Sequence, residues 1–198
     1  MTMEQLEQRL AFLRSRLQSA YDGLGQSSGR PYLYFVYPPE ADQLMRRFVD
    51  ELFTTLPSMH TTRIDLLDLT MEALRGEEEG REAVLVHPNP AVSGMAPSDI
   101  ADIWQDELRI AMQEKLEDVP PGVRPLMLLE GLAALHPLTN PTAVMEKFAE
   151  HSLDNPATGR PVPIVLFVPG YRVPNTSRMY YFLKQSSQQL KMYRGEDA

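Results

Sequence analysis

The stretch Pro31-Tyr32-Leu33-Tyr34-Phe35-Val36-Tyr37-Pro38-Pro39-Glu40 decides the fold. Six aromatic and aliphatic residues in a row, with almost no polar alternation, predict a strand buried on both faces, as in a parallel α/β sheet. Two prolines close the run. Immediately after them Ala41, Leu44, Met45, Phe48, Val49, Leu52, Phe53 and Leu56 trace a broad apolar stripe, so the strand passes directly into a helix that ends before Pro57. A second strand is expected over Arg63-Ile64-Asp65-Leu66-Leu67-Asp68-Leu69, which completes a unit of the size of a βαβ crossover.

Working outward, Met3, Leu6, Leu10, Leu13, Leu17 and Tyr21 recur at steps of three and four behind a Thr2/Gln5 capping box, predicting an amphipathic helix over 2–21. Leu6, Leu10, Leu13 and Leu17 imitate a coiled-coil seam, so this face packs either on its own domain or on a partner helix. Residues 22–30 form a Gly/Ser connector. Met71 to Gly80 reads as a short helix and His87 to Pro97 as an exposed loop. Ser98 is expected to cap a helix that turns Ile100, Ile103, Trp104, Leu108, Ala111, Met112 and Leu116 inward. Pro125 to Gly131 is a third buried strand. A helix follows over 143–150, and Val162 to Val168 is the last strand, ended by Pro169-Gly170. The mixed aromatic, basic and Gln/Ser tail over 176–194 reads as a further helix. The expectation is one α/β domain over 1–198, a three-layer sandwich with a mainly parallel sheet of about four to five strands, P-loop-like in outline.

The 198 residues, 43% hydrophobic and 23% charged, suffice for one core. A net charge of −8, from 27 acidic and 19 basic residues, repels polyanions over the molecule as a whole. Cysteine is absent, which removes disulfides, thiolate metal sites and cysteine nucleophiles, and fits a reducing compartment. Met1 to Tyr21 is studded with charge and does not resemble a signal peptide, and no apolar run approaches the ~20 residues that span a bilayer. The expected location is the cytoplasm.

In sheets of this class ligands gather at the carboxyl ends of the strands. Here those ends are Tyr37-Pro38-Pro39-Glu40, Asp68-Leu69-Thr70, Glu130-Gly131 and Pro169-Gly170-Tyr171-Arg172. A phosphate loop works through successive backbone N–H donors, close-approach glycines and a lysine. Pro38 and Pro39 have no N–H, and no Walker A or dinucleotide-binding glycine pattern occurs anywhere in the chain. Leu126 to Glu130 resembles an apolar strand ending in a magnesium-holding acid, but it stands without that lysine loop. Spread over the chain, His60, His87, His136 and His151 lack metal-ligand spacing. No serine-nucleophile elbow is present. Asp65 and Asp68, three apart on the expected strand, face opposite sides. Arg172, Arg178, Lys184, Lys191 and Arg194, interleaved with Tyr171, Tyr180, Tyr181 and Tyr193, form the single pattern with a nucleic-acid flavour, and they equally suit a solvated tail face. No catalytic residue, cofactor or metal is called for. The candidate partner-binding residues are Leu6, Leu10, Leu13 and Leu17 on the first helix, and Tyr171, Arg172, Arg178 and Tyr180 in the tail.

Four patches, in order, resemble the BrxB family of bacteriophage-exclusion (BREX) defence loci: Tyr32 to Glu40; Ile64-Asp65-Leu66-Leu67-Asp68-Leu69; Leu128-Leu129-Glu130-Gly131 leading to His136-Pro137-Leu138; and Pro163 to Gly170. The sequence departs from the family pattern at Asn140-Pro141-Thr142-Ala143-Val144-Met145, where an Asn-rich signature is usual, and at Tyr171-Arg172-Val173-Pro174, where an acidic and then Gly-containing segment is usual. The resemblance implies a non-catalytic component of a multi-protein anti-phage system. Its partners would be other BREX proteins, a PglZ-like protein among them, with DNA reached indirectly through the complex. The residues themselves leave two alternatives open: a degenerate nucleotide-binding protein using Glu130 and Arg172, and a nucleic-acid contact through the tail.

Overall fold

The computed structural model describes residues 2–26, 29–53, 56, 58–148 and 153–198. The opening stretch forms β1 (Tyr32–Tyr37), and all six of its residues are buried. Helix α1 (Met3–Ala20) precedes it, capped as expected by reciprocal Thr2 and Gln5 hydrogen bonds. After β1, Pro39 opens a single 3₁₀ turn that runs into α2 (Asp42–Phe53). Then come β2 (Met59–Asp65), α3 (Leu66–Ala73), α4 (Glu78–Val86), α5 (Pro90–Ser93), α6 (Pro97–Glu117), β3 (Arg124–Glu130), α7 (Pro141–Phe148), β4 (Ile164–Arg172), β5 (Met179–Phe182), β6 (Gln189–Lys191) and β7 (Gly195–Asp197).

Five strands lie side by side in the order β2-β3-β4-β1-β7, every neighbouring pair parallel. Strands β5 and β6 continue from the end of β4 as an antiparallel hairpin, which brings the sheet to seven. Period-two alternation sorts each strand between two cores. Leu33, Phe35 and Tyr37 of β1 join Leu126, Leu128, Val165 and Phe167 under α1 and α2. Tyr32, Tyr34 and Val36 face the opposite layer with Met127, Leu129, Ile164, Leu166 and Val168, covered by α3, α4, α6 and α7. The chain is therefore a three-layer α/β sandwich with a mostly parallel sheet.

Several expected boundaries move, each for a local reason. The second strand stops at Asp65, because its carboxylate accepts from the Leu67 N–H at 2.9 Å and so caps α3; Leu66 to Leu69 are helical. Asp68 is thus an exposed helical residue, and its comparison with Asp65 along one strand falls away. Met71 to Gly80 spans the end of α3, a turn and the start of α4, and the His87–Pro97 loop contains α5. Helix α6 begins at Pro97, with Asp99 accepting from the Ala96 N–H at 2.8 Å, in place of a Ser98 cap. Of the 143–150 helix, residues up to Phe148 belong to α7, and 149–150 lie outside the described residues, as does His151. Strand β4 does not end at Pro169-Gly170. A Cβ on Gly170 would meet the Tyr181 carbonyl oxygen at 2.1 Å, so glycine lets β5 approach and the strand continue to Arg172.

The largest difference is the tail: residues 176–194 are not a helix. Met179-Tyr180-Tyr181-Phe182 alternates half-buried with buried side chains, the signature of a strand. Tyr180 packs its ring 5.9 Å from that of Tyr34, and its hydroxyl lies 2.9 Å from the Thr142 hydroxyl, which itself donates to the Lys191 carbonyl at 2.6 Å. Aromatic side chains suited to a pleat, together with partners waiting on β1 and α7, outweigh the weak helical pattern.

Candidate functional site

The carboxyl ends of β1, β2 and β3 form one surface, and two chains of alternating charge fill it. In one, the Tyr37 hydroxyl donates to Asp42 Oδ1 at 2.6 Å, Asp42 accepts from Arg46 at 3.3 Å, and Arg46 reaches Asp65 at 2.7 Å. In the other, Asp50 pairs with Arg63, whose guanidinium grips Glu130 through two bonds of 2.6 and 3.0 Å. The parallel register places Asp65 opposite Glu130, and α2 supplies Asp42, Arg46 and Asp50. Glu130 is only 6% exposed. Its carboxylate holds the Arg63 guanidinium above its ordinary value against the cost of burial. Burial, then Asp42, likewise raises the Tyr37 hydroxyl.

This geometry bears directly on the residues that resemble a magnesium site. Both Glu130 oxygens are engaged by Arg63, so a cation there would have to displace a bidentate guanidinium. Gly131, next in the chain, has a left-handed backbone (φ +66°), and a Cβ on it would lie 2.0 Å from Asp65 Oδ1. Glycine is what lets the β3 exit and the α3 cap share this space. Among the described residues no group of His, Asp and Glu gathers in a metal-binding arrangement. His136 joins Pro137 through a cis peptide bond and faces the Gln185 side chain at 3.0 Å.

At the other flank of these strand ends, Tyr171 donates to Glu40 at 2.9 Å, and Lys184 pairs with the same carboxylate at 3.2 Å. A groove of about 470 Å³ runs beside them, lined by Met3, Leu6, Pro38, Ala41, Leu44 and Tyr171. Across α1 a second cleft holds Gln8, Arg9, Phe12, Arg172 and Asp197. Arg9 donates to the Val36 carbonyl at 2.7 Å and to the Ala198 carbonyl at 3.0 Å, while Arg172 pairs with Asp197 at 2.6 Å. Burial, then the nearby Arg172, lowers the Arg9 guanidinium to about 10, with Asp197 opposing. Arg16 pairs with Glu196 and donates to the Asp197 carbonyl at 3.1 Å. These arginines fasten β7 against β1.

The candidate partner-binding residues fall into two groups. Leu6, Leu10, Leu13 and Leu17 are all buried beneath the helix against Leu33, Phe35, Met45 and Val49, so α1 packs on its own sheet and this stripe is not an open coiled-coil seam. Tyr180 is also buried, for the reasons given above. Tyr171, Arg172 and Arg178 are exposed. The structure brings Tyr171 and Arg172 to the rim of α1, beside Met3 and Phe12, 58% and 64% exposed; Met3, which the spacing put on the apolar stripe, lies outside the buried layer, and sequence reasoning missed Phe12. The signal was available for Phe12, which falls off the Leu6–Leu10–Leu13–Leu17 stripe.

No protein-family model, curated protein or solved structure matches this chain. No helix among the described residues is long and apolar enough to cross a membrane.

Proposed function

We propose that this protein is a non-catalytic assembly component of a BREX-type anti-phage complex, acting in the cytoplasm and docking on a larger, PglZ-like partner to support host DNA methylation and phage restriction. The family resemblance supplies the system. The observation that carries the non-catalytic reading is the Arg63–Glu130 pair, which occupies the acid at the strand end where such a fold would bind a metal–nucleotide. Two prolines without N–H donors, Pro38 and Pro39, stand at the exit of β1 where a phosphate loop would need donors. What the carboxyl end offers a partner instead is Met3, Phe12 and Tyr171 around α1.

The test is affinity purification of the tagged protein from its native operon under gentle salt. A PglZ-like protein is expected to co-elute, and Phe12→Asp combined with Met3→Asp is expected to reduce its recovery while leaving the fold intact. Elution of a lone monomer in the presence of all operon products overturns the proposal.

A further inference from the structure

At the opposite end of the sheet, around the amino ends of β1, β3 and β4, lies a cleft of about 630 Å³, within the size range of small-ligand sites of roughly 300–1,000 Å³. Three connections that are distant in sequence each deliver one arginine to it: Arg30 before β1, Arg124 at the start of β3 and Arg160 before β4. One carboxylate, Asp22, lines the same cleft, and it is shared, at 2.8 Å from Arg124 and 3.5 Å from Arg160. Two guanidinium groups, Arg124 and Arg160, thus share one carboxylate in a chain whose net charge is −8.

The Arg124 guanidinium and the backbone turn that carries Arg160 are also held in place. Arg124 stacks over the Tyr21 ring at 5.2 Å, and the Tyr21 hydroxyl donates to the Pro125 carbonyl at 2.6 Å, which fixes the ring. The turn carrying Arg160 is tied by the Asn155 N–H to the Arg160 carbonyl at 2.8 Å, the Gly159 N–H to the Asn155 carbonyl at 2.8 Å and the Ala157 N–H to Asn155 Oδ1 at 2.8 Å. A planar guanidinium on a fixed base is suited to paired oxygens of a phosphate.

We propose that this cleft binds a phosphate group through Arg124 and Arg160, with Asp22 acting as the internal anion that an incoming phosphate displaces. The site is separate from the α1 surface and does not depend on the assembly reading. The phosphate comes either from a free phosphate ester or from a nucleic-acid backbone.

Titration calorimetry of the full chain with inorganic pyrophosphate at low salt tests the proposal. Saturable binding is expected, weakened by about tenfold or more in Arg160→Gln and further in Arg124→Gln/Arg160→Gln. Asp22→Asn is expected to tighten it several-fold, an effect that damage to the fold cannot imitate. Circular dichroism controls for folding, and Arg160, three-quarters exposed, is the variant least able to perturb it. A single-stranded oligonucleotide that binds more tightly than pyrophosphate and is competed off by it identifies a strand as the source; pyrophosphate binding alone identifies a free ester. Absence of binding heat, equal binding by the double variant, or no gain in Asp22→Asn overturns the proposal.

Discussion

Replacing Leu10 with alanine separates a core helix from a detachable one. Leu10 is 0% exposed and lies in a continuous apolar layer with Leu6, Leu13, Leu33 and Phe35. Removing three carbons forfeits about 2 kcal/mol of burial at ~0.8 kcal/mol per methylene, and the residual cavity raises the loss to about 3 kcal/mol within the range of ~2–5 known for such truncations. At about 2–4 °C per kcal/mol for a chain of this size, the melting temperature is expected to fall by about 6–12 °C. Phe12, two residues on and facing solvent, is the internal control: Phe12→Ala is expected to change stability by no more than about 0.5 kcal/mol. Urea melts of the three proteins, followed by circular dichroism, give the comparison directly. A loss below about 1 kcal/mol for Leu10→Ala, or equal losses for both variants, refutes the packing of α1 on this sheet.

Other outcomes follow from the same structure. Gly131→Ala combines a left-handed backbone with a collision on Asp65, and should cost about 2–3 kcal/mol by denaturant melting through strain and loss of the α3 cap. Glu130→Gln leaves Arg63 partly buried with one charged partner fewer, and a loss of about 1–3 kcal/mol is expected, discounted for the solvent that reaches Arg63. In Arg124→Gln/Arg160→Gln, where the amino-end cleft has lost its phosphate ligands, millimolar magnesium-ATP is expected to leave the melting temperature unchanged; a saturable rise in that variant would revive a nucleotide role for the carboxyl end. Burial pushes the Tyr21 hydroxyl up to about 12 from 10.0, with Arg124 opposing and Asp22 adding. A raised folded-state value means that its contribution is complete below about pH 10 and is lost as the pH climbs towards 12, so tyrosinate absorbance and alkaline unfolding should show a step that Tyr21→Phe removes.

What the sequence disclosed was governed by how local the cause is. Tyr32 to Tyr37 announced a strand because all six side chains are apolar or aromatic and all six are buried, and Thr2 with Gln5 announced a helix start three residues long. The Asp65 cap was harder to see, since Leu66-Leu67-Asp68-Leu69 extends the apolar run with residues that suit strand and helix alike. The tail misled because its turns use left-handed backbones at Asn175, Leu183 and Arg194, where no glycine marks them, and because Gly195-Glu196-Asp197 carries no apolar signal for a strand. The charge chains lay out of reach for a different reason. Arg63 and Glu130 are joined by strand register, and nothing in either neighbourhood names the other.

The fastening of β7 has a consequence for how the protein is made. Strand β1 leaves the ribosome well before both of its neighbours, β4 and β7, and Arg9 and Arg16 of α1 close on residues 196–198. Contacts of such long sequence separation cannot form until residues 164–198 have been made. Until then Tyr32 to Tyr37 is without either of its neighbouring strands, and the nascent chain carries an adhesive aromatic segment that residues more than a hundred positions downstream will cover.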